Sequence, residues 1–403
     1  MSVLSREFSK PKARIVIHGG AGNISRENLT APARHEYLSS LARILSQVHP
    51  KLISGQLNAL DAAVAAVKLF EDDPLFNAGK GAVFTLDGTN ELEASVMVSR
   101  GAQKRCAGVF LLKHVKNPIL LAKELLLRDD PRTERGRQHN CLSGPYAEQL
   151  AERWGLEIVD PSYFFTEKRW KQHLDDLKRS EADIEEEPLI DLKDEKADVG
   201  NARMGLREAD LEEYLPKGTV GCVVLDNDGV IAAATSTGGL TNKVPGRIGD
   251  TPTPGAGFWA EEWEVIAPAE PSRGLIDILT NSLAGCLPTS APKDKTHRAV
   301  ALSGTGNGDY FLRLSACHNI TARCRFGGKS LRQAARDVCG PDGEMKRAGD
   351  KRTAPDGAVI GIDDQGEIIM EMNCGGCFRG MVDHDGNILV GAYADEPLQV
   401  WST

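Results

Sequence analysis

The sequence predicts a mixed α/β fold in which two β-sheets stack face to face and helices cover the outer face of each. Strand-like segments alternate with segments whose apolar residues recur at helical spacing, which indicates a packed α/β protein. Two predicted hairpins in the second half have arms that are apolar at nearly every position, and such arms are typical of sheets covered on both faces. With 403 residues, the chain is long enough to build that core.

The predicted elements follow in chain order. The segment ARIVIH (13–18) reads as a strand, while LNALDAAVAAVKLFEDD (57–73) has the apolar face of a helix. A second helix is predicted at NPILLAKELLLR (117–128). Three later segments contain Asp/Asn/Gly turns beside apolar arms, which predicts two hairpins and a final strand entry. They are residues 220–236, 358–372 and 383–393.

A highly charged segment from about Lys168 to Lys217 separates the two halves of the chain. It lacks sustained apolar periodicity, so we expect a solvated, largely disordered linker that interrupts one domain. Between Glu181 and Pro216 it holds thirteen acidic residues against four basic ones, a difference that equals the whole formal net charge of −9. The remaining sequence is close to neutral, so we expect no binding to nucleic acid.

Composition and the first residues predict a cytoplasmic protein. The nine cysteines are scattered and do not form a disulfide framework, which is typical of reduced thiols. No window approaches the roughly 18 consecutive apolar residues of a membrane span, and the opening MSVLSREFSKPKAR lacks the apolar stretch of a secretory signal. The histidines form no HExxH pattern, so we expect no catalytic metal.

The pair Gly218-Thr219 lies where the charged linker meets a predicted buried strand. A threonine hydroxyl becomes an effective nucleophile when a base lies beside it, and a threonine with a free α-amine carries that base on the same residue. Breaking the Gly218–Thr219 bond would create such a residue, and a glycine at this point can adopt strained backbone angles that expose its carbonyl to the hydroxyl. From the dipeptide alone, a turn glycine before an ordinary strand residue remains the alternative.

Five segments, in order, resemble the plant-type L-asparaginase and isoaspartyl peptidase family of N-terminal-nucleophile (Ntn) hydrolases. They are IVIHGGAG (15–22), DPLFNAGKGAVFT (73–85), ELEASVM (91–97), TSTGGLTNKVPGRIGD (235–250) and GTGNGDYFLR (304–313). The resemblance implies one Ntn-hydrolase domain over residues 1–403, built as a four-layer αββα sandwich. It also implies autocatalytic cleavage into an α-chain of residues 1–218 and a β-chain of residues 219–403. The implied activity is hydrolysis of L-asparagine to L-aspartate and ammonia, of isoaspartyl dipeptides, or of both.

The resemblance implies roles for individual residues. Thr219 matches the nucleophile, and Thr237 matches a second threonine that assists its activation. The segment 235–237 ends the returning arm of a predicted hairpin, which is compatible with a hydroxyl beside the first strand. Asn77 matches a polar residue that reaches the nucleophile. Thr305 and Gly306 match the oxyanion region, where a hydroxyl and a backbone amide meet developing negative charge.

Arg247 and Asp250 stand three residues apart in a loop that contains proline and glycines. By the resemblance they bind the α-carboxylate and α-ammonium of the substrate, and a guanidinium and a carboxylate suit these two groups. On spacing alone, a surface ion pair remains the alternative. The resemblance also implies a structural Na⁺ held by backbone carbonyls, with no other cofactor. These carbonyls belong to Phe70, Glu71, Asp73, Phe76, Ala78 and Lys80.

Three alternatives stay open beside this assignment. The first is a glycosylasparaginase of the same fold, because the segment GTGNGD resembles that branch. An apparent insertion at residues 261–297 also separates the Arg247 loop from GTGNGD. A threonine aspartase is less similar, because that branch has serine at the position of Thr237. The insertion and the long linker also leave open an uncleaved pseudoenzyme that serves as a binding scaffold. The expected partners are a small-molecule substrate and a second αβ unit in a dimer, with no membrane contact.

Overall fold

The computed structural model describes residues 13–101, 106–128, 139–186, 218–266, 295–349 and 354–402. Within these ranges, strands and helices both occur throughout the chain, which confirms the mixed α/β class. The strands are β1 (Arg14–Gly22), β2 (Leu92–Val98), β3 (Cys106–Leu112), β4 (Cys141–Ser143), β5 (Val220–Leu225), β6 (Ile231–Thr237), β7 (Phe258–Ile266), β8 (Lys295–Gly306), β9 (Gly357–Asp363), β10 (Ile368–Met372), β11 (Gly376–Val382), β12 (Ile388–Tyr393) and β13 (Gln399–Val400).

The first two helices begin at residues whose side chains cap them. The side chain of Thr30 accepts a hydrogen bond from the Ala33 nitrogen at the start of the first helix, and Asn58 does the same for Asp61 in the second. The helices are α1 (Ala31–Ile53), α2 (Ala59–Glu71), α3 (Pro118–Leu127), α4 (Gly144–Arg153), α5 (Glu167–Glu186), α6 (Gly308–Leu314), α7 (Ala316–Arg325), α8 (Leu331–Cys339) and α9 (Glu344–Arg347), with short 3₁₀ turns at Gly79–Gly81 and Pro161–Phe164.

The described strands form two sheets. The larger has the order β13-β12-β11-β1-β5-β6-β2-β3-β4, and the smaller has the order β10-β9-β8-β7. Neighbours are antiparallel apart from β3 and β4, which run parallel. Strand β5 therefore enters the middle of the larger sheet, where β1 and β6 bond it from both sides.

Alternate residues of the central strands face opposite sides of the larger sheet. Ile17 of β1 lies in a buried cluster with residues of α1, α2 and α3, whereas Val16 lies in a cluster with residues of the smaller sheet. On the other face of the smaller sheet, Leu302 of β8 packs with Ile320 of α7 and Val338 of α8. The central strands of both sheets are thus covered on both faces, as the apolar arms predict.

The individual elements match their predicted positions closely. The strand at 13–18 is confirmed as β1, and the helices at 57–73 and 117–128 are confirmed as α2 and α3. The two predicted hairpins are β5–β6 and β9–β10, and the final strand entry leads into β12. In the first hairpin, the Asp226 carboxylate accepts from the nitrogens of Asp228 and Val230, which closes the turn.

The first part of the charged segment is helical, so the prediction of disorder was wrong for residues 168–186. Helix α5 turns one face towards the loop after α2. There the buried Arg169 donates to the carbonyls of Gly81, at 2.7 Å, and Leu75, at 3.1 Å. A long charged side chain can satisfy buried carbonyls while its stem packs, and apolar periodicity does not register that contribution. The remainder of the predicted linker, 187–217, lies outside the described residues.

Candidate active site

Thr219 lies directly before β5, buried in the middle of the larger sheet. The preceding Gly218 is enclosed so closely that a Cβ there would come within 2.6 Å of both the Ala21 nitrogen and the Thr305 hydroxyl oxygen. Real Cβ atoms do not make contacts this short, so any larger residue at this position would force neighbouring atoms of β1 and β8 to move. Packing against β1 is therefore one reason why glycine precedes Thr219.

The hydroxyl of Thr219 is hydrogen-bonded to a residue that the sequence analysis missed. Its Oγ1 lies 3.0 Å from Oγ1 of Thr251, which is completely buried. The carbonyl of Thr251 accepts in turn from the hydroxyls of Ser95, at 2.6 Å, and Thr235, at 3.2 Å. Thr251 follows Asp250 immediately, and this adjacency was the only sequence signal for it. The structure thus adds Thr251 to the three threonines predicted at the site, Thr219, Thr237 and Thr305.

His18 fixes the backbone of Thr219 from the neighbouring strand. Its Nδ1 lies 2.9 Å from the Thr219 carbonyl oxygen, and its Nε2 lies 2.7 Å from the Ser303 hydroxyl. Burial lowers the pKa of His18 to about 3, so the ring is neutral at physiological pH. Because a carbonyl can only accept, Nδ1 carries the proton and donates it to Thr219, while Nε2 accepts from Ser303. This role was also missed, although His18 lies in the quoted IVIHGGAG motif.

Thr237 and Asn77 meet at the turn that ends β6. The hydroxyl of Thr237 accepts from the Gly239 nitrogen at 3.0 Å. Asn77 donates through Nδ2 to the Gly239 carbonyl at 2.8 Å, and its Oδ1 accepts from the Val83 nitrogen at 3.0 Å. Asn77 therefore ties the loop after α2 to the turn beside Thr237.

Arg247 and Asp250 line a small cavity together with Thr219. They do not form the simple surface ion pair that their spacing allows. Nη2 of Arg247 donates to the Asp309 carboxylate at 3.1 Å. Asp250 is buried, and its Oδ2 has no hydrogen-bond partner among the described residues. Burial raises the pKa of this carboxyl to about 7, while the positive charge of Arg247 opposes the shift. An incoming cationic group would supply the missing partner.

Thr305 and Gly306 end β8 beside Gly218. The Thr305 hydroxyl accepts from the Ala21 nitrogen at 3.2 Å. Gly306 has a φ of +136°, and a Cβ there would approach the Asp356 carbonyl to 2.3 Å, so only glycine fits.

A small cavity in front of Thr219 brings most of the predicted residues together. Its volume is about 10 Å³, which is room for about one water molecule while the Gly218–Thr219 peptide is intact. The cavity is lined by Thr219, Thr237, Gly239, Leu240, Arg247, Asp250, Gly306 and Gly308. Asn77 and Thr305 do not line it, but Asn77 is bonded to Gly239 and Thr305 directly precedes Gly306, both of which do.

The carbonyls predicted to bind Na⁺ lie at the end of α2, which holds Phe70 and Glu71, and in the loop that follows it. Gly79 has a φ of +51°, and a Cβ there would approach the Glu71 carbonyl to 2.3 Å, so the loop curls back onto the end of α2. Oε2 of the buried Glu71 side chain has no hydrogen-bond partner in the described ranges, and burial raises the pKa of this carboxyl to about 8. Oxygen donors suit a hard cation. A cation held by the backbone carbonyls at this place stays a prediction.

Other features of the described ranges bear on metal binding, membrane contact and redox state. No group of three or more His, Cys, Asp or Glu side chains there could hold a metal ion. No helix in that part of the chain is both long enough and apolar enough to cross a membrane. The cysteines that lie in it are free thiols.

Comparisons with known proteins all indicate one family. A family model described as Asparaginase matches residues 11–267 and 295–391, and the gap between them falls within the predicted insertion. The isoaspartyl peptidase of Escherichia coli is 34% identical over 368 residues, which cover 91% of this chain and 92% of that protein. The isoaspartyl peptidase of Salmonella typhimurium is 33% identical over 368 residues, covering 91% and 94%. A plant-type L-asparaginase of Pyrococcus furiosus is 32% identical over 256 residues, covering 62% and 70%.

Proposed function

The chain belongs to the Asparaginase family, and from this membership we propose that it cleaves itself between Gly218 and Thr219 and then hydrolyses L-asparagine, isoaspartyl dipeptides or both. It is an amide hydrolase. The observation that carries the proposal is the cavity shared by Thr219, Arg247 and Asp250. In it, a nucleophile lies beside a cation and a carboxylate that complement the head group of a free amino acid.

Self-cleavage begins at the intact peptide bond. The Thr219 hydroxyl oxygen attacks the Gly218 carbonyl carbon, the carbon–nitrogen bond breaks, and the hydroxyl proton ends on the released nitrogen. Water then hydrolyses the ester, leaving a carboxylate on Gly218 and restoring the hydroxyl of Thr219. The close packing of Gly218 against Ala21 and Thr305 supports this step, because it holds the carbonyl-bearing residue in one position.

Turnover uses the amine that cleavage releases. An α-amine titrates near pH ~8, so a substantial fraction is neutral at physiological pH and can take the proton from the Thr219 hydroxyl. The hydroxyl attacks the side-chain amide carbon of the substrate, and the amine returns the proton to the leaving nitrogen. Ammonia leaves from asparagine, or an amino acid leaves from an isoaspartyl dipeptide. Water then hydrolyses the β-aspartyl ester.

The remaining site residues orient the substrate and stabilise charge. Arg247 binds the α-carboxylate, and Asp250 accepts from the α-ammonium, which gives its unpaired Oδ2 a partner. Thr305 and Gly306 meet the oxyanion, and loss of one such donor costs about 10²–10³ in kcat in comparable sites. Thr237 assists the nucleophile.

The proposal extends to the fold, an ion, the assembly and the location. The two sheets and their outer helices form the four-layer αββα sandwich of Ntn hydrolases, supported by separate apolar clusters on both faces of each sheet. Na⁺ binds to the predicted carbonyls at the end of α2 and in the loop that follows it. The mechanism itself uses only groups of the chain, the substrate and water. Two cleaved units form a dimer. The free cysteines support a cytoplasmic location.

Intact mass under denaturing conditions tests the cleavage, with ammonia and aspartate release as the second measurement. We expect the wild type to yield fragments of 1–218 and 219–403 and to hydrolyse asparagine or a β-aspartyl dipeptide. Thr219→Ala should remain one chain without turnover, while the control Thr253→Ala, which changes a threonine whose hydroxyl donates to the Gly249 carbonyl, should behave as wild type. Ammonia release by pure Thr219→Ala would refute the mechanism. A wild-type chain that stays intact and inactive would support the scaffold alternative.

A further inference from the structure

Before cleavage, Thr219 lacks the base that its mature form uses. Its nitrogen belongs to a peptide bond and cannot accept a proton from the hydroxyl. His18 is also engaged, because Nδ1 donates to the Thr219 carbonyl and Nε2 accepts from Ser303. In the precursor, neither the nitrogen of Thr219 nor His18 is therefore available to bind the Thr219 hydroxyl, and another group must orient it for attack.

We infer that Thr251 is this group, a positioning residue that orients the Thr219 hydroxyl for self-cleavage. The two Oγ1 atoms lie 3.0 Å apart, within hydrogen-bond distance, and both residues are buried. The inference rests on the proposed cleavage at Gly218–Thr219 and adds a residue that the family resemblance did not assign.

The surroundings of Thr251 restrict the position of its hydroxyl. The hydroxyls of Ser95 and Thr235 lie within hydrogen-bond distance of the Thr251 carbonyl and of each other, and whichever way their two protons are shared, at least one of them is donated to that carbonyl. Ser95 belongs to β2 and Thr235 to β6, so two adjacent strands of the larger sheet hold the backbone of Thr251. A β-branched side chain on a fixed backbone has few rotamers, so the position of its hydroxyl is fixed as well.

This contact restricts the rotation of the Thr219 side chain. When its hydroxyl is bonded to Thr251, Oγ1 is held in one rotamer for attack on the Gly218 carbonyl carbon. The proton lost by Thr219 still ends on the released nitrogen, and Thr251 finishes with the proton it began with. Misplacement of a reacting group by about 1 Å can lower a rate by about 10²-fold, so loss of the contact should have a large effect.

Three variants separate the hydroxyl from the shape of the side chain. Thr251→Val keeps the branched shape without the hydroxyl, and Thr251→Ser keeps the hydroxyl without the methyl group. Thr253→Val is the matched control, because its hydroxyl donates to the Gly249 carbonyl at 2.8 Å and not to the nucleophile. Thermal midpoints of freshly purified precursor check that each variant is folded, and Thr251→Ala replaces Thr251→Val if the latter does not fold.

The measurement is the first-order loss of intact chain, followed by mass under denaturing conditions. We expect Thr251→Val to cleave at least about tenfold more slowly than wild type, with Thr251→Ser and Thr253→Val within about threefold. After full cleavage, KM should be unchanged in Thr251→Val, and kcat should fall by less than the cleavage rate because the free amine now acts. A wild-type rate in Thr251→Val, or a Thr251→Ser rate as slow as that of Thr251→Val, overturns the inference. A wild-type chain that never cleaves contradicts the proposed function instead.

Discussion

Replacing His18 with asparagine should make the folded protein less sensitive to mild acid. The imidazole is completely buried between Thr219 and Ser303, and burial holds its pKa at about 3 against an ordinary value of 6.5. The folded state therefore binds fewer protons here than the unfolded state. With a folded pKa below the unfolded one, stability is lost as the pH falls through 6.5 towards 3.

The size of the effect follows from the two pKa values. At pH 7.5 the unfolded histidine is mostly neutral and the difference is close to zero. At pH 5 it is almost fully protonated in the unfolded chain only, so the contribution of His18 to wild-type stability should be about 2 kcal/mol less favourable than at pH 7.5, at 1.36 kcal/mol per pH unit. Asparagine does not titrate, so this loss disappears in the variant. Any pH-independent cost of the substitution changes the free energy of unfolding by the same amount at both pH values, so it does not affect the comparison.

Urea unfolding followed by tryptophan fluorescence at pH 5.0 and 7.5 measures this difference. Both proteins should carry Thr219→Ala, so that uncleaved chains are compared. Glu71 and Asp250, whose raised pKa values make stability fall as the pH rises, are present in both and cancel. A difference between variant and wild type that changes by less than about 0.5 kcal/mol between the two pH values would refute the assignment of His18 as a buried neutral ring.

Three further predictions concern cleavage and substrate binding. Gly218→Ala should slow cleavage strongly and destabilise the chain by about 1–3 kcal/mol, because its Cβ would lie 2.6 Å from the Ala21 nitrogen; intact mass and urea unfolding measure the two effects. Arg247→Ala should cleave normally but raise KM for asparagine at least about tenfold, because one charged contact to the α-carboxylate is lost; unchanged KM would contradict its role. The wild-type KM should fall as the pH rises through about 7, where Asp250 loses its proton and can accept from the ammonium, whereas Asp250→Asn should show a high KM without this dependence.

The central elements could be predicted because their apolar patterns are local. The arms of β5–β6 and β9–β10 are nearly all apolar and flank Asp/Asn/Gly turns, so their type follows from the sequence, as does the burial of β5, β6 and β9. Strand β10 lies at the edge of the smaller sheet and is only partly buried. Helix α5 could not be predicted in this way. Its buried contact depends on Arg169 reaching the carbonyls of a loop about ninety residues earlier, and polar contacts over such distances leave no periodic signal.

Site residues that lie in the family motifs could be predicted from the sequence. Contacts that form only when distant segments pack together could not. Arg247, Asp250 and Thr237 lie in one quoted motif, and the fold brings them to the cavity of Thr219. Thr251 stands one residue beyond that motif and acquires its contact only when β5 and the loop after β6 come together. His18 lies inside a quoted motif, but its partners are 201 and 285 residues away along the chain.

The order of strands in the larger sheet has a consequence for the cleaved enzyme. Strand β1, from the first fragment, lies between β11 and β5 of the second, and β2 of the first pairs with β6 of the second. The fragments therefore cannot separate without breaking three ladders. Unfolding of the cleaved form is also a dissociation, so its midpoint should rise with protein concentration, whereas that of the uncleaved chain should not. Cleavage of one peptide bond thus makes the stability of the fold depend on the concentration of the protein as well as on its sequence.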